Sequence, residues 1–400
     1  MKSDRPKSLH PLAGRPLIAY AVETAQALTG AKPVLIVGSG AEAVLEATGD
    51  AAVFVEQDKQ DEQRGAGHAL LQSRDTFPAS TDLALVTRAD MPLLTGETLR
   101  RLAERQQSNP GPITALTGPE QRPIGVYCFD ADWLRQIPLT SSPEECHLSD
   151  LVEIAVAEGW QTEAVPASDS DEALRIDTRL HLARAECLLR RRINERWMLT
   201  GVTIVDPATT YIEPGVAIGP DTTIWPNTHL RGRTEIGAHC HIGPNSIVED
   251  CYIGDRCRVL ASVLEQAVME DEADIGPFGH LRKGARLCEG AHMGNFGEMK
   301  KATLGPGAKM GHFSYLGNSE VKAGANIGAG TITCNYDGVH KHKTVIEEDA
   351  FIGSGSMLIA PVRVGKGATT GAGSVVTHDV PAGAVAYGVP AQVRDEEAQS

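Results

Sequence analysis

The chain has 400 residues, more than one hydrophobic core usually supports, so two domains are expected. Apolar residues make up 42% and charged residues 22%, ordinary for a soluble globular protein, and the net charge of −15 argues against a broad nucleic-acid surface. No run of about 18 apolar residues is present to span a bilayer, and the opening MKSDRPKSLH lacks the apolar stretch of a secretory signal. The eight cysteines include no CxxC pair and read as free thiols in a reducing, cytoplasmic compartment.

The first 170 or so residues have an α/β grammar. Apolar, β-rich runs at KPVLIVGS and DLALVTRAD alternate with helical patterns at PLIAYAVETAQAL and GETLRRLAERQQ, and further strands are expected at GPITALTG and IGVYCFD. Residues 178–198 place Leu182, Leu189, Ile193 and Trp197 at helical spacing among charged residues, which predicts one long connecting helix closed by Gly201. The resulting division is a domain over 1–176, a linker helix over 177–200, a second domain over 201–390 and a tail over 391–400.

From about residue 210 the pattern changes. Ile212, Ile218, Ile224, Leu230, Ile236 and Ile242 stand six apart, and after a looser stretch the beat resumes at Ile275, Leu281, Leu287, Met293 and Met299. It slips at Leu304, Met310 and Leu316, slips again at Val321 and Ile327, and returns at Ile346, Ile352, Leu358, Val364, Thr370 and Val376. A period of six fits neither a helix nor simple strand alternation. It fits a short strand and a tight turn repeated around a coil, with the aliphatic residue facing the axis: a parallel β-helix. Residues 331–345, TITCNYDGVHKHKTV, break the rhythm and read as an extruded loop.

The segments GPFGHLRKGARLCEGAHMGNFGEMKKATLGPGAKMGHFSYLGN and NIGAGTITCNYDG resemble the bifunctional GlmU family, N-acetylglucosamine-1-phosphate uridyltransferase / glucosamine-1-phosphate N-acetyltransferase. The resemblance implies a left-handed β-helix of hexapeptide repeats behind a nucleotidyltransferase-like, Rossmann-like domain, a homotrimer, and acetyl transfer from acetyl-CoA to glucosamine 1-phosphate. On the family's pattern His312 is the catalytic base, and an imidazole titrating near neutrality suits that task. Arg282, Lys300 and Lys341 match contacts to the sugar phosphate, for which cations are the fitting chemistry. Tyr315 and Asn326 match residues that hold the sugar. Ala329, Asn335, Tyr336, Ser354 and Ala372 match the acetyl-CoA groove. Near the C-terminus, where the family often has a basic residue at the cofactor's phosphates, the chain reads AYGVPAQVR, with Arg394 as the available cation.

In the N-terminal half the resemblance is patchy. The family's Gly-rich triphosphate loop, roughly L-A-A-G-x-G-T-R-M, is represented only by its last residue, so this domain reads as truncated at its start. Lys7 remains as a phosphate ligand, and EQRGAGHAL supplies Gln60 and Gly65 for the nucleotide. Asp90 and Asp177 match the Mg²⁺ ligands, Asp177 standing where the family has Asn; the Tyr-Gly pair before Asp90 has become Arg88-Ala89. A sugar-binding hairpin expected between PITALTG and PEQRPIGVYCF is missing. These losses favour an acetyltransferase whose uridyltransferase half is degenerate. The alternative is a bifunctional enzyme that also makes UDP-N-acetylglucosamine from UTP, with Mg²⁺ at Asp90 and Asp177. A non-catalytic sugar-nucleotide scaffold needs none of His312, Arg282, Lys300 and Asn335, and an acyltransferase for another sugar is disfavoured by the complete phosphate-binding pair.

Overall fold

The computed structural model describes residues 1–38, 40–57, 65–138 and 146–394. Two compact units emerge, Met1–Leu189 and Arg190–Ser400, and the division falls inside the helix Arg179–Leu199. The boundary is therefore neither at 176 nor at 200. The N-terminal half of that helix packs Leu182, Leu188 and Leu189 against Leu12, Leu17 and Tyr20, so it is part of the first unit's core.

In the first unit, strands Leu83–Val86, Pro123–Asp130, Ile113–Thr117 and Glu163–Pro166 form one sheet in that spatial order. The first two pairings are antiparallel and the third, of Ile113–Thr117 with Glu163–Pro166, is parallel. Val34–Val37 and Val53–Glu56 pair in parallel as a separate ribbon. Helix Gly96–Ser108 covers one face by burying Leu99 and Leu102 against Leu116, Val126 and Cys128. Its N-terminus is capped by the Thr95 hydroxyl, which accepts from the Thr98 N–H and satisfies one of the open amides of the first turn. Between Thr117 and Pro123 the chain turns in five residues, Gly118 N–H donating to the Arg122 carbonyl at 3.0 Å.

The second unit is a left-handed parallel β-helix of three sheets, with 12, 10 and 9 strands, in which each strand up to the last coil pairs with the strand three further on. On one sheet the inward residues of successive coils are Ile224, Ile242, Val259, Ile275, Met293, Met310 and Ile327, which sets a coil at 16 to 18 residues. The looser stretch in the sequence belongs to the same series: Val248, Ile253, Val259, Leu264 and Met269 are all fully buried. They stand five or six apart because single turn residues are dropped at corners, not because the coil is interrupted. Thr370 holds an inward position without penalty, its hydroxyl accepting from Gly353 N–H at 3.0 Å and pairing with Ser356 Oγ at 2.9 Å.

From Ile327 to Ile352 a coil takes 25 residues, and the surplus leaves the coil at 335–343. The flanks of the expected loop stay in the coil as strands Ile332–Cys334 and Thr344–Ile346. Ala391–Arg394, expected as tail, turns back and pairs antiparallel with Val385–Gly388, so the folded unit extends to Arg394. All eight cysteines are free, and no described helix is long and apolar enough to cross a membrane.

Because each inward side chain touches its copies above and below, truncating one leaves a cavity that rigid coils cannot close. Ile242→Ala, at a fully buried position, should cost roughly 2–5 kcal/mol. The expected result is a lower denaturation midpoint for the β-helix with the far-ultraviolet spectrum of the folded state unchanged.

Candidate functional site

The register of the coil places residues in columns at its corners. Two residues beyond the inward positions Met293, Met310, Ile327, Ile352 and Thr370 stand Asn295, His312, Ala329, Ser354 and Ala372. Hydrogen bonds between coils tie the column to its neighbour: Phe313 N–H donates to Asn295 O at 3.1 Å, Gly330 N–H to His312 O at 3.0 Å, Gly355 N–H to Ala329 O at 2.7 Å and Gly373 N–H to Ser354 O at 2.8 Å. Four candidate residues, His312, Ala329, Ser354 and Ala372, thus share one edge of the coil.

The adjoining column changes character at the same level. Its residues occupy the left-handed region, which the corner geometry demands. Phe278, Phe296 and Phe313 take φ of 62°, 54° and 48°, and Gly330, Gly355 and Gly373 follow at 74°, 70° and 70°. The three phenyl rings stack with centroids 5.1 and 5.0 Å apart and remain exposed. After Phe313 the ladder gives way to the glycines Gly330, Gly355 and Gly373, which carry no side chain beside Ala329, Ser354 and Ala372.

His312 ends the strand Lys309–His312, and its Nδ1 meets Asn295 Oδ1 directly across the ladder, where Asn295 and His312 are register partners. An amide oxygen can only accept, so this bond is donated by Nδ1–H, and Nε2 is the nitrogen not engaged by Asn295. Asn295 was not singled out from the sequence; its signal is its place 17 residues before His312, legible only once the coil length is known.

Around the corner, Glu298–Lys300 pairs with Tyr315–Gly317, Glu298 opposite Tyr315 and Lys300 opposite Gly317. Arg282 follows the strand His280–Leu281 on the same sheet and donates to Glu298 Oε1 at 2.8 Å. That bond raises the Arg282 pKa further; burial, then the charge of Glu298, pushes the Tyr315 phenol up. Arg282, Lys300 and Tyr315 therefore form one polar patch next to His312. Asn326 lies on the His312 sheet, paired with Lys309. Gly317 is required by contact: a Cβ there would fall 2.5 Å from the Tyr315 hydroxyl.

Asn335, Tyr336 and Lys341 are elsewhere on the coil. Nearly buried Asn335 anchors the loop, its Nδ2 donating to Asn318 Oδ1 at 3.0 Å, and Tyr336 and Lys341 form an antiparallel bridge. Asp337 accepts from the N–H groups of His340 and Val339 and pairs with His342, which holds its carboxyl well below the usual range. Arg394 lies over the Tyr387 ring at 5.3 Å.

In the first unit, Lys7, Asp90 and Asp177 come together. Lys7 Nζ lies 2.6 Å from Asp90 Oδ2 and 2.8 Å from Asp177 Oδ1. Arg88 Nε lies 3.0 Å from Asp90 Oδ1, and Arg175 Nε lies 3.4 Å from both Asp90 Oδ2 and Asp177 Oδ2. Burial alone would push the Asp90 carboxyl up, but hydrogen bonds from Arg88 and Lys7 hold it below the ordinary value; Lys7 lowers Asp177 as well. Every carboxylate oxygen of the pair is already met by a cation of the chain, an arrangement that does not fit a resident divalent ion. Among the described residues no group of three or more His, Cys, Asp or Glu is placed to hold a metal. Gly65, at φ 84°, lies where a Cβ would come 2.5 Å from the Cys146 carbonyl oxygen, a backbone reason for glycine. Gln60 lies outside the described residues.

An α/β unit ahead of a hexapeptide-repeat β-helix defines a two-domain transferase. Residues 1–153 match the MobA-like NTP transferase domain family, and residues 215–249 and 343–378 match the bacterial transferase hexapeptide family. A relative from Pelobacter propionicus, "Bifunctional protein GlmU", is 40% identical over 438 aligned positions, covering 99% of this chain and 94% of its own. Proteins of the same name from Exiguobacterium sibiricum and Trichlorobacter lovleyi are each 39% identical, covering 95% and 98% of this chain and 93% and 94% of their own. The chain belongs to the bifunctional GlmU family.

The contact at Gly317 is testable. Gly317→Ala should displace the Tyr315 ring while leaving the coil intact, visible as a new Tyr315 rotamer in a crystal structure. An unmoved ring would show that the strand, not the tyrosine, yields.

Proposed function

We propose that the β-helix transfers the acetyl group of acetyl-CoA to the amine of glucosamine 1-phosphate, and that the N-terminal unit transfers uridylate from UTP to the product, as a bifunctional enzyme. The observation that carries the first activity is the corner column: His312 with its Nδ1 tied to Asn295, above the small residues Ala329, Ser354 and Ala372. The substrate ammonium first loses one proton to water; the free amine then attacks the thioester carbonyl while His312 Nε2 takes a second proton from the attacking nitrogen. The C–S bond breaks, and the coenzyme A thiolate leaves with the proton that His312 returns. Asn295 keeps the base in the tautomer that can accept. Lys300 and Arg282 hold the phosphate; Arg282 must share or release Glu298 to do so. Pantetheine lies along the glycine corner, where no side chain covers the backbone.

The match to relatives named bifunctional, over nearly the whole chain, supports the second activity better than the degenerate reading taken from sequence losses. That reading keeps two structural observations in its favour: the five-residue turn Gly118–Arg122 where a sugar-binding hairpin was expected, and the cations that already meet the Asp90 and Asp177 carboxylates. Any Mg²⁺ would enter with the nucleotide and not as a resident ion of the Asp90–Asp177 pair, whose oxygens are already met by Lys7, Arg88 and Arg175. Trimer assembly, which would bring the Asn335 loop of one chain to the His312 corner of another, belongs to the same proposal.

His312→Ala should lower the acetyl-transfer kcat by roughly 10²–10⁴-fold, the usual worth of a general base, with the melting temperature unchanged; retained kcat in a folded variant would remove His312 from that role. Ser354→Trp should raise the KM for acetyl-CoA at least tenfold and leave the KM for glucosamine 1-phosphate within a factor of about two. A rise confined to the sugar would move the cofactor off this corner.

A further inference from the structure

Asp90 and Asp177 face more positive than negative charge: two carboxylates against Lys7, Arg88 and Arg175. Arg88 makes the most specific contact. Its Nε donates to Asp90 Oδ1 at 3.0 Å and its Nη2 to Asp90 Oδ2 at 3.1 Å, so the guanidinium grips both oxygens of one carboxylate. The Asp90 side chain is only 6% exposed and that of Arg88 28%, so the pair is sheltered from water rather than splayed on a surface. The neighbouring strand makes room for it: Gly125 lies where a Cβ would come 3.0 Å from Arg88 Cδ. Mg²⁺ needs oxygens at about 2.0–2.1 Å in a near-octahedral shell. A guanidinium cannot give up its charge or accept a bond, and here it occupies both carboxylate oxygens of Asp90.

We infer that Arg88 is a built-in counter-ion that takes the place of a divalent metal at Asp90, so that the site meets a phosphate ester with its own guanidinium and ammonium groups. Lys7 and Arg175 complete the cationic face, and Asp90 and Asp177 position these three side chains instead of binding an ion. The inference goes beyond the proposed activities and does not depend on them, since it concerns only what the carboxylate pair binds.

The test is titration of the full chain with Mn²⁺, free ion being followed by electron paramagnetic resonance in the absence of nucleotide and sugar. Wild type should take up no more Mn²⁺ than Asp90→Asn. Arg88→Tyr should gain one Mn²⁺ per chain, and the double variant Arg88→Tyr/Asp90→Asn should lose it; Arg88→Gln serves in its place if circular dichroism shows Arg88→Tyr unfolded. Mn²⁺ bound by wild type and lost in Asp90→Asn would overturn the inference. So would a folded Arg88 variant that gains none. With no UTP present, neither outcome can be confused with failure of uridylate transfer.

Discussion

The inward aliphatic side chain at each face of each coil is the constraint on which the second unit rests. Small buried residues two positions earlier, such as Cys257, Ala273, Ala291 and Ala308, fill the rest of the coil's interior. The strands are two to four residues long, and each is held by the strands above and below and by one buried side chain. Removing any of these apolar groups from water gives the stabilisation that such short strands lack by themselves. Once those positions are set, everything else about the surface follows by counting. The residue two past an inward position must lie at a corner, and its counterparts on the neighbouring coils must stack with it. The column Asn295, His312, Ala329, Ser354 and Ala372 is the consequence of packing decided inside the coil.

The corner also explains the aromatic cluster in KMGHFSYLGN. Phe313 is the third rung of an exposed phenyl ladder, and Tyr315 starts the next face with its ring over Gly317. His312, just before them, holds its imidazole against Asn295 Oδ1. The loop 335–343 is tied by its own contacts: Asp337 collects two backbone N–H bonds and His342, while Glu320 pairs with Lys322 and Lys343, which lowers the Glu320 pKa to about 2. It is a braced projection suited to reaching beyond its own coil.

The repeat was legible because a period of six leaves a mark that neither a helix nor a flat sheet can produce. The stretch between Ile242 and Ile275 was not, because five-residue steps at Ile253, Leu264 and Met269 hide the beat while preserving the coil. Asn295 was invisible for the same reason, as its partnership with His312 depends on a 17-residue coil. In the first unit the strands and helices follow their apolar patterns closely. Arg88 was visible as an odd residue before Asp90, but its grip on both carboxylate oxygens is a matter of side-chain geometry, which no spacing rule contains. The grouping of Lys7, Asp90 and Asp177 was suggested only by resemblance, since 170 residues separate its members.

The central claim is that two transferase activities reside in this one chain, with acetyl transfer at the His312 corner. The most direct measurement is a single incubation of the purified chain with acetyl-CoA, glucosamine 1-phosphate, UTP and Mg²⁺, followed by mass spectrometry of both products. The account predicts N-acetylglucosamine 1-phosphate first and UDP-N-acetylglucosamine after it. N-acetylglucosamine 1-phosphate alone would contradict the second activity and restore the degenerate reading of the N-terminal unit, and absence of both products would contradict the account as a whole.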